Sequence, residues 1–234
     1  MDVPSQIKSA LQASSFPPPS QNLLSSLSPS IPLPSLLATA KSRILSSDLT
    51  SSPLINPSLP TLPAGIDSPA AKEVVLGRDT HVQVVDIENL SVSRWEQVEE
   101  LEAIERGERT RGREVIQVTG EENENVGTQS QPATQAQPTQ AGKNAIHRLT
   151  LQDRAGNKVY AIELRRIDKI GIGKTMMGEK ILLKRGTVVA RGTVLLTADK
   201  CVFLGGKIDA WQRTWVEGRL ARLKAEVGQD RPTQ

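Results

Sequence analysis

The stretch from Lys180 to Gly206 limits the fold more than any other part of the chain. Three short runs rich in β-branched residues, Lys180–Leu183, Gly186–Ala190 and Thr193–Thr197, are followed by a fourth, Cys201–Leu204. Gly186 and Gly192 break the series, and Gly205–Gly206 ends it. Glycines inside or between strands mark bulges and sharp bends. Strands broken this often curve strongly, as a small closed barrel requires.

The preceding residues supply the rest of such a sheet. HRLTLQD and KVYAIELRRI alternate apolar and polar side chains on either side of AGN, which predicts a hairpin turning at Gly156–Asn157. HVQVVDIENL, from His81 to Leu90, reads as an earlier strand. One long strand, a bridging element, a hairpin and several bent strands add up to a mainly β fold, a five-stranded Greek-key barrel of OB type. A sandwich needs more strands than these.

The bridging element changes period. Ser93 and Glu96 form a capping-box signature, Trp95, Val98, Leu101 and Ile104 follow at spacings of three, and Gly107 stands where the helix should stop. Arg113–Thr119 again alternates like a strand. Glu121–Lys143 is rich in Gln, Thr, Glu and Pro and nearly free of large apolar residues. It cannot offset its ordering entropy by burial, which predicts a mobile loop. Lys207–Val227 predicts a C-terminal helix with Ile208, Trp211 and Trp215 on one stripe and Val216, Leu220, Leu223 and Val227 on the next. Trp211 and Trp215, four residues apart, are read as core or interface anchors rather than as a platform for bases.

The first 70 residues hold 17 Ser, 12 Pro and 6 charges. Residues 1–60 are therefore expected to form a weakly helical or disordered arm, with Leu36–Leu49 its best helix candidate. The alternative is a small helical bundle packed on the next domain. The expected organisation is this arm, an OB domain over residues 61–228 with an insertion at about 106–145, and a disordered tail at 229–234.

Net charge is +3, unevenly spread: Ile146–Gly205 carries 12 Lys+Arg against 5 Asp+Glu, whereas Arg94–Glu114 carries 7 acidic and 5 basic residues. Lys180, Lys184, Arg185 and Arg191 are candidate contacts to DNA phosphates, giving weak, salt-sensitive binding. Dedicated single-strand recognition uses aromatics displayed on the sheet, and the strands here offer only Tyr160 and Phe203. Stand-alone nucleic-acid binding is thus the second reading of function.

Catalytic chemistry finds little footing. Cys201 is the one cysteine, so no disulfide forms within the chain, and Cys201, His81 and His147 lack metal-ligand spacing. The Gly171–Thr175 run (GIGKT) has Asp168 where a phosphate loop needs glycine, and Met176 where a dinucleotide loop needs its third. No nucleophile elbow is present. The expectation is a non-enzymatic chain without cofactors. With no long apolar run and no signal-peptide pattern, it is expected to be soluble and intracellular and to have no membrane partner.

The run VVARGTVLLTADKCVFLGGKIDAW, Val188–Trp211, resembles the end of the N-terminal OB domain of the RecQ-mediated genome instability protein 1 family. HVQVVDIENLSVS resembles that domain's first strand, and LPAGI, Leu62–Ile66, the segment before it. The resemblance covers about residues 62–227, with an insertion between the first and second strands. It implies a nuclear, non-catalytic subunit of a complex between a RecQ-type helicase and topoisomerase III, which dissolves double Holliday junctions and decatenates DNA. It implies further that the barrel docks on the topoisomerase while the insertion reaches toward the enzyme's gate. Val115, Ile116 and Val118 would be the insertion's anchor on that partner.

Overall fold

In the computed structural model, residues 2–28, 31–110, 113–114 and 145–229 are described. They form two compact units, Met1–Leu90 with Ile146–Glu217, and Ser91–Ala145 with Gly218–Gln234.

The first unit begins with three helices, α1 (Val3–Ala13), α2 (Gln21–Ser25) and α3 (Leu33–Leu45). They bury a cluster of their own that includes Ile7, Leu11, Leu23, Leu36, Ala40 and Ile44. The structure therefore departs from the expected disordered arm and takes the helical alternative, with the third helix starting and ending earlier than Leu36–Leu49. The composition misleads for a physical reason. Pro4 and Pro34 stand in the first turns of α1 and α3, where a missing N–H costs nothing and a fixed φ favours the helix. The serines serve helix ends: Ser20 Oγ accepts the Leu23 N–H at the start of α2, and Ser26 and Ser47 donate to the carbonyls of Leu23 and Ile44. A fully buried Leu or Ile contributes about 1.5–3 kcal/mol relative to exposure, so a few convergent side chains suffice to order short helices.

The sheet has eight strands, not five. They are β1 (Glu73–Val75), β2 (Thr80–Asn89), β5 (His147–Asp153), β6 (Lys158–Glu163), β7 (Lys180–Leu183), β8 (Val188–Ala190), β9 (Thr193–Leu196) and β10 (Cys201–Gly205), in the order β1-β8-β9-β6-β5-β2-β7-β10. All neighbours are antiparallel except β6 and β9. The additional strands arise because β1 pairs onto β8, and because turns around Gly192 and at 197–200 divide the last stretch into β8, β9 and β10. A register shift between Val84 and Asp86 bends β2, which pairs with β7 on one side over residues 80–83 and with β5 on the other. Alternating residues of these strands, such as Val82, Leu149, Leu151, Ala161, Ile181 and Val194, make the core. In the hairpin turn, Asp153 accepts the N–H groups of Ala155 and Asn157 and, from far along the chain, that of Leu62.

The helices lie on the sheet through a polar seam. Gln83 Oε1 accepts the Leu49 N–H at 2.9 Å while its amide donates to Asp48 and Gln152. Arg154 donates to the carbonyls of Leu49 and Thr50, and His81 Nε2–H donates to the Ser15 carbonyl at 2.9 Å. Lys180 is fully buried there, donating to Gly178 O at 2.6 Å and Leu45 O at 3.4 Å. Burial pushes its ammonium down to about 8, against a weaker upward pull from Asp48.

A lysine depressed in the folded state is charged more readily when unfolded. Between pH 8 and about 10.4 the unfolded chain then binds more protons, and stability rises with pH through that window. Denaturation of the wild type and of Lys180→Met across pH 7–10.5 checks this. The wild type should gain relative to the variant as pH rises, by up to about 3 kcal/mol. Parallel curves would contradict it.

The C-terminal helix, α5 (Asp209–Gln229), starts two residues later than expected and runs through both units. Trp215 belongs to the core of the sheet and Trp211 packs against it, and the Trp215 indole N–H donates to Asp86 at 2.6 Å. The pair acts as a core anchor, as the sequence reading favoured.

The second unit holds α4 (Arg94–Glu105), the two-residue strands β3 (Arg109–Thr110) and β4 (Arg113–Glu114), and the distal part of α5. The capping box of Ser93 and Glu96 is formed. Arg94 pairs with Glu226 and Lys224 with Glu102, both at 2.7 Å. The apolar residues of α4 spaced by three do not share one face: Val98 is buried and Trp95 is exposed. Four positions spaced by three lag a 3.6-residue turn by about 60° at each step, so they wind across half the helix. Among the described residues no helix is long and apolar enough to cross a membrane.

Candidate partner-docking face

Strand alternation gives each residue of this sheet an inner or an outer position. Arg148 stands between Glu88 on β2 and Ile162 on β6, and Ile162 pairs in turn with Leu195 on β9. These four face outward. Two residues further along, the same alternation brings Leu90, Ile146 and Leu164 into the next outer row. The Leu90 N–H donates to Ile146 O at 2.9 Å, and the Leu164 N–H donates to Leu196 O at 3.1 Å. On the other side of the row, Tyr160 lies between Thr150 and Thr193.

Seven large hydrophobic side chains are exposed among the described residues, and four of them meet here: Leu90 at 47%, Ile146 at 46%, Tyr160 at 48% and Leu164 at 56%. Ile162 and Leu195 between them are half-buried. Isolated exposed apolar residues are ordinary, but a contiguous group on the outside of a sheet marks an interaction surface.

The polar groups beside it suit a protein partner. Arg148 Nη2 donates to both carboxylate oxygens of Glu88, at 2.9 and 2.7 Å, with its guanidinium 4.6 Å from the Tyr160 ring centre. A preorganised Arg–Tyr pair next to an apolar row has the composition of an interface core. One side of the Tyr160 ring is already taken by Arg148, which leaves the sheet poorly equipped to stack bases.

Residues 91–145 leave and return at this face, because Leu90 and Ile146 bracket them. The return is pinned from inside. His147 is buried, with Nδ1 3.2 Å from Glu163 Oε1, and Glu163 also accepts the N–H groups of His147 and Ile167. Burial holds the imidazole below its ordinary range despite the adjacent carboxylate, so it is neutral at pH 7 and donates through Nδ1–H. Arg166 completes the group at 3.3 Å from Glu163.

The residues singled out from the sequence fare differently. Val115, Ile116 and Val118 lie outside the described residues. Lys180 is sealed beneath the N-terminal helices and cannot meet a phosphate. Lys184 and Arg185 are together at the β7–β8 turn, with Lys184 Nζ on the Asp199 carbonyl and the Arg185 N–H on Asp79. Arg191 is at the opposite end of β8, donating to Pro69 O. The structure thus does not gather the four into one site. Sequence reading passed over Leu90, Ile146, Ile162 and Leu164. The signal was there in KVYAIEL, where apolar residues occupy both phases of the alternation although a solvated outer face needs only one. Cys201 is buried, its thiol pushed up to about 11 by burial, and no group of three or more His, Cys, Asp or Glu among the described residues could hold a metal.

Residues 62–219 match the family model described as RMI1, N-terminal OB-fold domain, and residues 11–52 match RMI1, N-terminal helical domain. The chain is 28% identical over 151 residues to RecQ-mediated genome instability protein 1 of Schizosaccharomyces pombe, covering 62% of this chain and 63% of that protein. It is 30% identical over 181 residues to the protein of the same name from Saccharomyces cerevisiae, covering 67% of this chain and 74% of that one. The two matches fall on the N-terminal helices and on the sheet, and the chain belongs to the RecQ-mediated genome instability protein 1 family.

Proposed function

We propose that this chain is a non-catalytic nuclear subunit that binds a type IA topoisomerase III working with a RecQ-type helicase, and that it biases the topoisomerase gate during dissolution of double Holliday junctions and decatenation. The observation that carries the reading is the apolar outer row of Leu90, Ile146 and Leu164 at the root of residues 91–145. A rigid sheet face supplies position, and a long segment starting from that face supplies contacts that differ between open and closed gate. A ligand shifts a two-state equilibrium only through such a difference. One or two kcal/mol would change the open population about five- to thirty-fold.

Deleting residues 121–143 separates the two roles. Binding of topoisomerase III, measured by titration calorimetry, should change less than about threefold, whereas decatenation by the pair should fall about five-fold or more, the low end of the population shift above. Decatenation at the wild-type rate would remove the segment from the mechanism. Failure of the intact chain to bind topoisomerase III at micromolar concentration would remove the whole reading.

A further inference from the structure

The loop from β6 to β7 collects like charges beside the apolar row. Arg165, Arg166, Lys169 and Lys174 are all exposed within ten residues, and Asp168 is the one exposed acid among them. Glu163 is engaged below, its side chain 2% exposed. The loop holds its cations at the rim. Lys174 Nζ donates to the Asp168 carbonyl, a neutral acceptor, at 3.1 Å, and Lys169 Nζ stands 5.8 Å from the Phe203 ring centre. Arg166 Nη2 and Lys174 Cδ both lie within 4 Å of where a Cβ on Gly171 would be, so their side chains converge. At Gly173, with φ +82°, the space a Cβ would occupy is open.

The β7–β8 turn is a poorer anion site. Asp79 and Asp199 accompany Lys184, Arg185 and Lys200 there and offset most of their charge.

Clustered cations repel one another, and a polyanion relieves that repulsion with release of its own counterions. A glycine whose outer side is empty lets such a backbone approach closely. We propose that the loop of residues 165–174 is a sequence-independent binding site for the phosphate backbone of DNA, with Arg165, Lys169 and Lys174 as its principal contacts. The cations are exposed on the chain by itself, so DNA binding can be measured without topoisomerase.

Fluorescence anisotropy of the full chain with a labelled 30-nucleotide single strand and with a 30-base-pair duplex, from 25 to 200 mM NaCl, tests this. Combining Arg165→Ala, Lys169→Ala and Lys174→Ala should weaken binding about tenfold or more at low salt. It should flatten the log–log salt slope by about 2 for single strands or about 2.7 for duplex, at about 0.7 and 0.9 per phosphate contact. The arm with the larger loss identifies the natural form. Lys169→Arg with Lys174→Arg should bind like wild type, and Lys184→Ala with Arg185→Ala should lose less than about twofold. Thermal midpoints of all variants check the fold. An unchanged slope in the triple variant, an equal loss in the β7–β8 turn variant, no DNA binding by the wild type at 25 mM NaCl, or displacement of DNA by an equal concentration of polyglutamate would each overturn the proposal.

Discussion

Gly206→Ala is expected to be strongly destabilising although it adds a single methyl group. Its Cβ would lie 2.5 Å from the Leu45 carbonyl oxygen and 2.8 Å from the Leu45 Cβ, at a φ of +95° that side chains avoid. The backbone conformation alone costs about 1–2 kcal/mol. The clash adds to it, because Leu45 ends α3 and cannot withdraw without dragging that helix off the sheet. Withdrawal also breaks the Lys180 hydrogen bond to Leu45 O and leaves the buried ammonium short of an acceptor. A total near 3–5 kcal/mol is a large fraction of the stability of an ordinary domain, and should lower the thermal midpoint by roughly 10 °C. Gly205→Ala is the control. Its φ is +82° but no atom lies within 4 Å of the added carbon, so only the backbone cost remains. If the two variants melt together, close packing of the helices at Gly206 is not what the glycine is for.

Ile146→Asp combined with Leu164→Asp should weaken topoisomerase III binding at least about 100-fold and leave the melting curve within about 2 °C of wild type. Both side chains are about half exposed in the free chain, so folding loses little. In a complex each carboxylate would be buried against an apolar partner without a counter-charge, a cost above 1.4 kcal/mol apiece, and every 1.4 kcal/mol is tenfold in affinity. Val75→Asp, an equally exposed apolar site on edge strand β1, should bind normally. Wild-type affinity in the double variant would assign topoisomerase binding to some other surface.

Strands and turns were legible in the sequence wherever a local pattern carried them. The β5–β6 hairpin, the capping box of α4 and the glycine-broken strands follow from residues that are neighbours along the chain. Three things were not legible. The short helices of residues 3–45 are ordered by tertiary convergence, and their serines and prolines look the same in a disordered segment and at helix ends. Lys180 reads as a surface cation because its alternation phase is outward, and only the packing of α3 over that outer face buries it. The exposed apolar row depends on register between β2, β5, β6 and β9, which brings together Leu90, Ile146 and Leu164 from three separate stretches. Gly205–Gly206 stands between these cases: the motif was conspicuous, but its reason lies about 160 residues away at Leu45.

The hydrogen bond between Leu90 and Ile146 bears on how this protein can diversify. Leu90 and Ile146 are held together whatever the number of residues between them. Closing a flexible loop costs only about 0.6 kcal/mol more for each doubling of its length. Residues can therefore be inserted or removed between these two points at small cost to the strands that carry them.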